Sequence, residues 1–307
     1  MTKMKAIVRT KFGAPEVLQL QEVEKPVPTN NEILVKVHAG TVTRGDVVMR
    51  DLSPSMRIFI RIFGFKPQKI SGVELAGEIE KIGKDVTHFK IGDQVFGTST
   101  GLVYGGNAEY VCLPEQRKKG VVAIKPSNLT YGEAAAVPVG AMTALELLRK
   151  ANIKHGQKIL IYGASGSVGT YAVQLAKILG AEVTGVCITP NVTLVRSLGA
   201  KKVYDYTKED LSQSSETYDV VFDAVGKMSK SLKKSLLKEN GTFLTVKSMT
   251  KETVEKLNYL KELCEAGRLT PVIDKTFPLE QTIEAHRYVD KGHKKGNVVI
   301  TVKHNNN

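Results

Sequence analysis

The chain has 307 residues, a mass of 33.5 kDa and a net charge of +13, with 42% hydrophobic and 24% charged residues. That length suits about two domains, and the composition excludes collagen-like and disordered classes. No window holds the ~18 apolar residues that a membrane helix needs, so no transmembrane segment is expected.

Residues 4–9 alternate Met-Lys-Ala-Ile-Val-Arg almost at the amino end, which reads as a strand and not as a secretory signal. Up to about residue 125 the pattern stays β-like: 33–38, 74–82 flexed at Gly77, 94–96 and 108–112, punctuated by Gly and Pro as in a small barrel. Within it, 56–67 places Ile58, Phe59, Ile62 and Phe63 on one helical face and Arg57 and Arg61 on another. Three readings stay open for that segment: packing against the barrel, a wall of a ligand pocket, or contact with a membrane surface. From residue 157 strands alternate with helices. The strand 158–162 leads into a helix with Val168, Ala172, Leu175, Ala176 and Leu179 on one face, ending at Gly180. Strands at 182–187, 202–204, 218–222 and 242–246, with helices at 192–198 and 229–238 between them, predict a doubly wound parallel sheet. Only 247–251 separates the last of these strands from a helix at 252–266. After Pro271 the pattern shortens and closes on a strand at 297–302, which should return to the first domain; 305–307 reads as a frayed tail.

Cys112, Cys187 and Cys264 lie far apart with no CxxC, which argues against a disulfide framework and for a reducing, cytoplasmic compartment. The basic residues are scattered, so specific nucleic-acid binding is not expected, and the charge suits an anionic cofactor.

The sharpest local signal is Tyr162-Gly-Ala-Ser-Gly-Ser-Val-Gly169, set between a strand and a helix. Such glycines permit a tight turn, close approach of a diphosphate and close packing of the helix on the sheet. Amides at the helix start favour phosphate oxygens. The pattern predicts a dinucleotide site built from Gly163, Ser165, Gly166, Ser167, Val168 and Gly169; the alternative is a plain strand–turn–helix. An NAD-type site usually carries Asp or Glu ~20 residues on, at the end of the second strand. Here that stretch reads Cys187-Ile-Thr-Pro-Asn191, with no carboxylate to repel a 2′-phosphate. Thr189, Asn191 and Tyr206 are neutral donors, and Val225 completes the expected set. The reading favours NADP(H) over NAD(H).

Several stretches now combine: Gly13-Ala-Pro-Glu-Val-Leu18, Gly72-Val-Glu-Leu-Ala-Gly77, Gly92-Asp-Gln-Val-Phe-Gly97, Ala134-Ala-Ala-Val-Pro138 with Thr143-Ala144, Val173-Gln-Leu-Ala-Lys177 and Gly296-Asn-Val-Val-Ile300. Over nearly its whole length the chain resembles the zinc-free, quinone oxidoreductase-like (zeta-crystallin-like) branch of the medium-chain dehydrogenase/reductase superfamily. The resemblance implies an α/β protein with a Rossmann doubly wound parallel sheet plus a GroES-like β-barrel domain. The barrel domain would span 1–126, the NADP(H)-binding domain 127–270, and 271–307 would return to the barrel, with the active site in the cleft.

Zinc-dependent members carry Gly-His-Glu where this chain has Gly72-Val73-Glu74, and a Cys near Thr43. Val73 cannot ligate a metal, and a catalytic zinc wants three Cys, His or carboxylate ligands. The stretch 97–106 lacks the cysteines of the family's structural zinc. The six histidines form no pair with metal spacing and are expected at the surface or as satisfied polar groups. Without a Lewis acid, the chemistry that survives is hydride transfer to an acceptor already activated by conjugation. The expected activity is NADPH-dependent reduction of a quinone or conjugated carbonyl. The alternatives are an enoyl or 2-alkenal reductase, or an NADPH-binding protein with a regulatory or RNA-binding role. By family position the candidate catalytic residues are Thr43, Asp46 and Thr143. Asp46 has a second reading, as a helix cap. The gap at 247–251 is too short for the further helix and sixth strand of relatives. A homo-oligomer is therefore expected only without the usual edge strand, and full activity is in question.

Overall fold

The computed structural model describes residues 2–63, 69–102 and 105–304, and they fall into two units. The first comprises Met1–Pro138, Glu252–Lys261 and Ile273–Asn307; the second comprises Val139–Lys251 and Glu262–Val272.

In chain order the first unit opens with β1 (Lys3–Arg9) and β2 (Leu18–Glu24), an antiparallel pair. There follow β3 (Glu32–Thr41), α1 (Arg44–Arg50), α2 (Pro54–Ile62), β4 (Glu74–Ile82), β5 (Gln94–Thr98), β6 (Tyr110–Pro114), β7 (Val122–Ile124) and α3 (Tyr131–Ala135). The long strand β3 organises this unit. Along one edge it pairs with β4, while β6 pairs with its first half, at Glu32–Lys36. Gly77 lets β3 and β4 approach at the bend, since a Cβ there would lie 2.1 Å from the Lys36 carbonyl oxygen. Ile33, Val35, Val37, Leu75, Ile79 and Val95 alternate inward and form the core. The unit extends past residue 126 because α3 belongs with the barrel: the Tyr131 ring stacks on His38 of β3 at 4.4 Å.

The second unit starts within α4 (Pro138–Ala151) and continues through β8 (Lys158–Tyr162), α5 (Ser167–Ile178), β9 (Glu182–Cys187), α6 (Val192–Ser197), β10 (Lys202–Asp205), β11 (Tyr218–Asp223), α7 (Lys230–Leu236) and β12 (Leu237–Thr245). All five strands are parallel, in the order β10-β9-β8-β11-β12. The reversal beside β8 is the switch point of a Rossmann-type doubly wound sheet. Leu160, Val186, Tyr218 and Val221 fill one face. α5 is buried on every side from Gly169 to Ala176, more than the single stripe read from its sequence. The reason is α4, whose Gly140 packs so closely that a Cβ would lie 2.6 Å from Ser167 Oγ. β12 ends the sheet, and from Val246 the chain runs without a further strand to α8 (Val254–Glu265).

The carboxyl end returns to the first unit as β13 (Ile273–Pro278), α9 (Thr282–Asp290) and β14 (Asn297–Thr301). β14 pairs antiparallel with the second half of β3, through Val299 opposite Thr41. Among the described residues no helix is long and apolar enough to cross a membrane.

Candidate functional site

Because β8 to β11 run parallel, their carboxyl ends share one edge of the sheet. That edge collects the residues singled out for the dinucleotide: Gly163–Gly169 after β8, Thr189 and Asn191 after β9, Tyr206 after β10 and Val225 after β11. The three glycines do different things. Gly163 adopts φ +81°, and a Cβ on it would meet Val225 Cγ2 at 2.3 Å. Gly169 faces the turn, where a Cβ would sit 2.1 Å from the Gly163 carbonyl oxygen. Gly166 differs: at φ −77° its Cβ would meet only that same oxygen, at an ordinary 3.5 Å. Nothing else within 4 Å of it forbids a side chain, so the space beside Gly166 is open to a ligand. Gly166 is the N-cap of α5 and no acidic residue stands in the first turn. The Val168 and Gly169 amides open that turn, where the helix supplies no acceptor of its own, so the local field suits a phosphate.

Two carboxylates that the sequence reading passed over hold this edge together. Asp223 accepts from the amides of Val225 (3.0 Å), Gly226 (2.8 Å) and Met228 (2.9 Å), fixing the loop that carries Val225. Asp205 accepts from the Thr189 hydroxyl and from the amide and hydroxyl of Thr207 (3.0 and 2.6 Å). Those bonds, Thr189 first, hold the Asp205 carboxyl below its ordinary pKa. The segment after β9 does lack a carboxylate, but one from the neighbouring strand reaches it and occupies Thr189. Asn191 is also committed, donating from Nδ2 to Ser165 Oγ at 3.0 Å and tying this segment to the glycine turn. Tyr206 is 52% exposed. It borders an open depression of about 790 Å³ whose far wall includes Ser229, Ser231 and Leu232. The signal for both aspartates was there, an Asp ending each of two parallel strands, but their partners lie on other loops.

In the first unit Thr43 is the N-cap of α1 and forms a reciprocal capping box with Asp46. Thr43 Oγ accepts from the Asp46 amide (3.1 Å), while Asp46 Oδ2 accepts from the Thr43 amide (2.7 Å) and hydroxyl (2.6 Å). Asp46 Oδ1 accepts from the Val73 amide at 3.1 Å. Asp46 thus clamps the start of α1 to the 72–74 segment. Burial raises its carboxyl pKa, against the opposing pull of Thr43. Thr143 lies half-buried on α4 in the other unit.

A further polar group, missed in the sequence, lies at β3 and β4, where buried Thr41 donates to Glu74 at 2.5 Å. Burial lowers the Lys294 ammonium to about 8, against the pull of Glu74 and Asp274, and its Nζ donates to the Gly296 carbonyl at 2.5 Å. His286 corrects the expectation of exposed or satisfied histidines. It is fully buried, its Nδ1 accepts from Arg50 at 3.1 Å, and its Nε2 has no partner among the described residues. Burial, with Arg50 beside it, pushes its pKa down to about 3. Among the described residues no three His, Cys, Asp or Glu side chains converge as a metal site would require.

Comparison with known proteins agrees with this layout. The family profile described as zinc-binding dehydrogenase matches residues 167–275, and that of the alcohol dehydrogenase GroES-like domain matches 29–126. The chain is 32% identical to a 2-methylene-furan-3-one reductase of Solanum lycopersicum, over 97% of this chain and 79% of that protein. It is 32% identical to a quinone oxidoreductase of Sus scrofa, over 92% of this chain and 93% of the other. Among solved structures, the quinone oxidoreductase from Coxiella burnetii superposes with a TM-score of 0.84 at 28% identity, covering 98% of this chain and all of that one.

Proposed function

The chain belongs to the quinone oxidoreductase-like branch of the medium-chain dehydrogenase/reductase superfamily, and on that footing we propose that it transfers a hydride from NADPH to a quinone or another conjugated carbonyl without a metal ion. The observation that carries this reading is the open space beside Gly166 at the start of α5. When bound, NADPH supplies the hydride. The residues of 163–169 would hold the pyrophosphate on backbone amides. Val225 packs over the turn, and Asn191 keeps the neighbouring loop in register with Ser165. Tyr206, and Thr189 on releasing Asp205, would bind the 2′-phosphate. The Asp205 carboxylate, whose oxygens are already engaged by Thr189 and Thr207, would border that phosphate.

Quinone, hydride and one proton give the hydroquinone, so the protein must orient the acceptor, exclude water and let a proton reach the acceptor oxygen. We assign Thr143 to the side of the nicotinamide and Thr43 to the acceptor carbonyl, a role that requires the Thr43 hydroxyl to turn its one proton away from Asp46 Oδ2. Asp46 orients Thr43 and pins the Val73 amide, which makes it a positioning residue. A valine at 73, where zinc-dependent relatives carry a histidine, supports metal-free chemistry. Three free thiols fit a reducing, cytoplasmic setting.

The test is NADPH oxidation with 1,4-benzoquinone, a 2-alkenal and a saturated ketone. Turnover of a conjugated acceptor with no turnover of the saturated ketone supports the proposal. Turnover of the ketone that a chelator abolishes sinks it. The printed name of the tomato relative favours the second reading, a 2-alkenal reductase, and the ratio of kcat/KM for alkenal and quinone decides between them.

A further inference from the structure

Two features of the first unit remain beyond the dinucleotide edge. On α2 the apolar side chains Ile58, Phe59, Ile62 and Phe63 face water, which overturns the reading in which the segment packs against the barrel. Residues 64–68 and the side chains of Ile60 and Arg61 lie outside the described residues, and among the described ones nothing covers that face or selects a partner for it. The other feature is the proton count at Thr43 and Asp46.

A threonine hydroxyl has one proton to give and two lone pairs to receive with. An ionised carboxylate only receives, whereas a neutral one also gives. With Asp46 ionised, the Thr43 proton points at Oδ2 across 2.6 Å and nothing is left for an acceptor. Turning that proton away would set two oxygens face to face at this distance with no hydrogen between them. With Asp46 neutral, the same 2.6 Å contact is satisfied in the opposite sense, Oδ2–H donating to Thr43 Oγ. The second lone pair of Thr43 Oγ takes the Asp46 amide at 3.1 Å. Both lone pairs are then used, and the Thr43 proton is free to meet an acceptor oxygen. Oδ1 keeps the Val73 amide at 3.1 Å and Oδ2 stays 2.7 Å from the Thr43 amide, so the start of α1 holds in either state. Burial of Asp46 raises its carboxyl pKa and so works toward the neutral form.

Asp46 also has a route by which a proton reaches it. It lines a crevice of about 20 Å³ together with Arg9 of β1, Arg50 of α1 and His286 of α9, and Met49, an exposed residue, lines it as well. That is room for one water. Because His286 Nδ1 accepts from Arg50, the ring proton sits on Nε2, which has no partner among the described residues. A water in the crevice would accept it. The charged groups around the crevice have partners of their own. Arg50 donates to the Gly13 carbonyl at 3.0 Å, to His286 and to Asp290 at 2.9 Å. Arg9 lies 4.1 Å from the centre of the Phe12 ring, and Glu74, next to Val73, accepts from Thr41. His286 is neutral at physiological pH, since burial holds its pKa at about 3.

We propose that Asp46, beyond positioning Thr43, is the proton relay of the reduction, passing a proton through the Thr43 hydroxyl to the acceptor oxygen and regaining it from a water in the crevice. The inference rests on the hydride-transfer reading above. Once the acceptor has gained its hydride, the Thr43 O–H bond breaks as the acceptor O–H bond forms. The Asp46 Oδ2–H bond breaks as a new Thr43 O–H bond forms. Asp46, left as a carboxylate, takes a proton from the crevice water, so each turnover consumes one hydride and one solvent proton.

Infrared difference spectra of the protein without cofactor, wild type minus Asp46→Asn, read the neutral carboxyl directly. A carboxylic C=O band should persist at pH values where exposed aspartates, with a pKa of ~3.9, have ionised, and it should shift in D2O. Asp46→Asn still donates to Thr43 Oγ, through Nδ2, but has no proton to pass on. Its kcat with 1,4-benzoquinone should fall about 100-fold or more, the scale of general acid catalysis, while the KM of the quinone and the affinity for NADPH stay near wild type. An Asp46 that only positions Thr43 would leave kcat unchanged in this variant. Thr43→Ser, which keeps the hydroxyl, should retain most of the wild-type kcat, and Thr43→Val should lose as much as Asp46→Asn. If Asp46→Asn does not fold, the band is assigned in the wild type by its shift in Thr43→Val. The relay is overturned if the band disappears together with those of exposed carboxyls, or if Asp46→Asn reduces the quinone at the wild-type kcat. A wild type that shows the band but reduces no conjugated acceptor overturns the functional reading itself, and with it the task of the relay.

Discussion

Gly166 and Gly169 stand three residues apart in one turn, yet the structure assigns opposite consequences to the same substitution. In Gly169→Ala the new methyl would lie 2.1 Å from the Gly163 carbonyl oxygen and 2.9 Å from the Ala164 backbone. These are backbone atoms on a strand end, so α5 itself must move away from the sheet. Overpacking of this kind costs about 1–3 kcal/mol, and at about 2–4 °C per kcal/mol the melting temperature should fall by several degrees. In Gly166→Ala the methyl meets nothing nearer than 3.5 Å, at a φ that any residue adopts. The lower entropy of the unfolded chain, worth about 0.4–1 kcal/mol, offsets the poorer N-cap, so stability should stay within about 1 kcal/mol of wild type. The cost falls on the ligand. A methyl at this point keeps a phosphate from the amides, and losing one charge-assisted hydrogen bond of about 1.5–3 kcal/mol weakens NADPH roughly 10- to 150-fold. Thermal melts paired with fluorescence titration of NADPH read both quantities. Gly166→Ala binding NADPH within about twofold of wild type would remove the physical basis of the proposed function.

Three other outcomes follow from the same geometry. In the unfolded chain the His286 imidazole titrates near 6.5, but in the folded protein near 3; the unfolded state therefore takes up a proton that the folded state refuses, and stability falls as pH drops below 6.5. His286 alone should cost about 1 kcal/mol between pH 7 and about pH 5.5, before carboxylates titrate, with half-buried His38 and His304 acting in the same direction; equal urea midpoints at the two pH values would contradict this. Asp205→Asn removes a negative charge beside Thr189 and should raise the NADPH-to-NADH preference measured by titration, whereas a shift toward NADH would place the 2′-phosphate elsewhere. Prolonged dialysis against a strong chelator should leave quinone turnover unchanged, and recovery of lost activity by added zinc would overturn the metal-free mechanism.

The strand–helix alternation from residue 158, the glycine turn and the stop at Gly180 were legible in the amino-acid sequence, because each depends on a local period or on the backbone freedom of one residue. The short passage from Val246 into α8 was legible for the same reason, as a matter of chain length. The engagement of Asp205 with Thr189, of Asp46 with Val73, and of Arg50 with His286 and Asp290 was decided by the tertiary structure, since each joins groups that only the folded chain brings within hydrogen-bond reach. The same holds for Thr189 itself: its hydroxyl reads as a free donor until a neighbouring parallel strand delivers a carboxylate to it. α2 marks the boundary between the two kinds of knowledge. Periodicity establishes that a helix has an apolar face, but whether that face meets the core or water depends on how the rest of the barrel has already filled its interior.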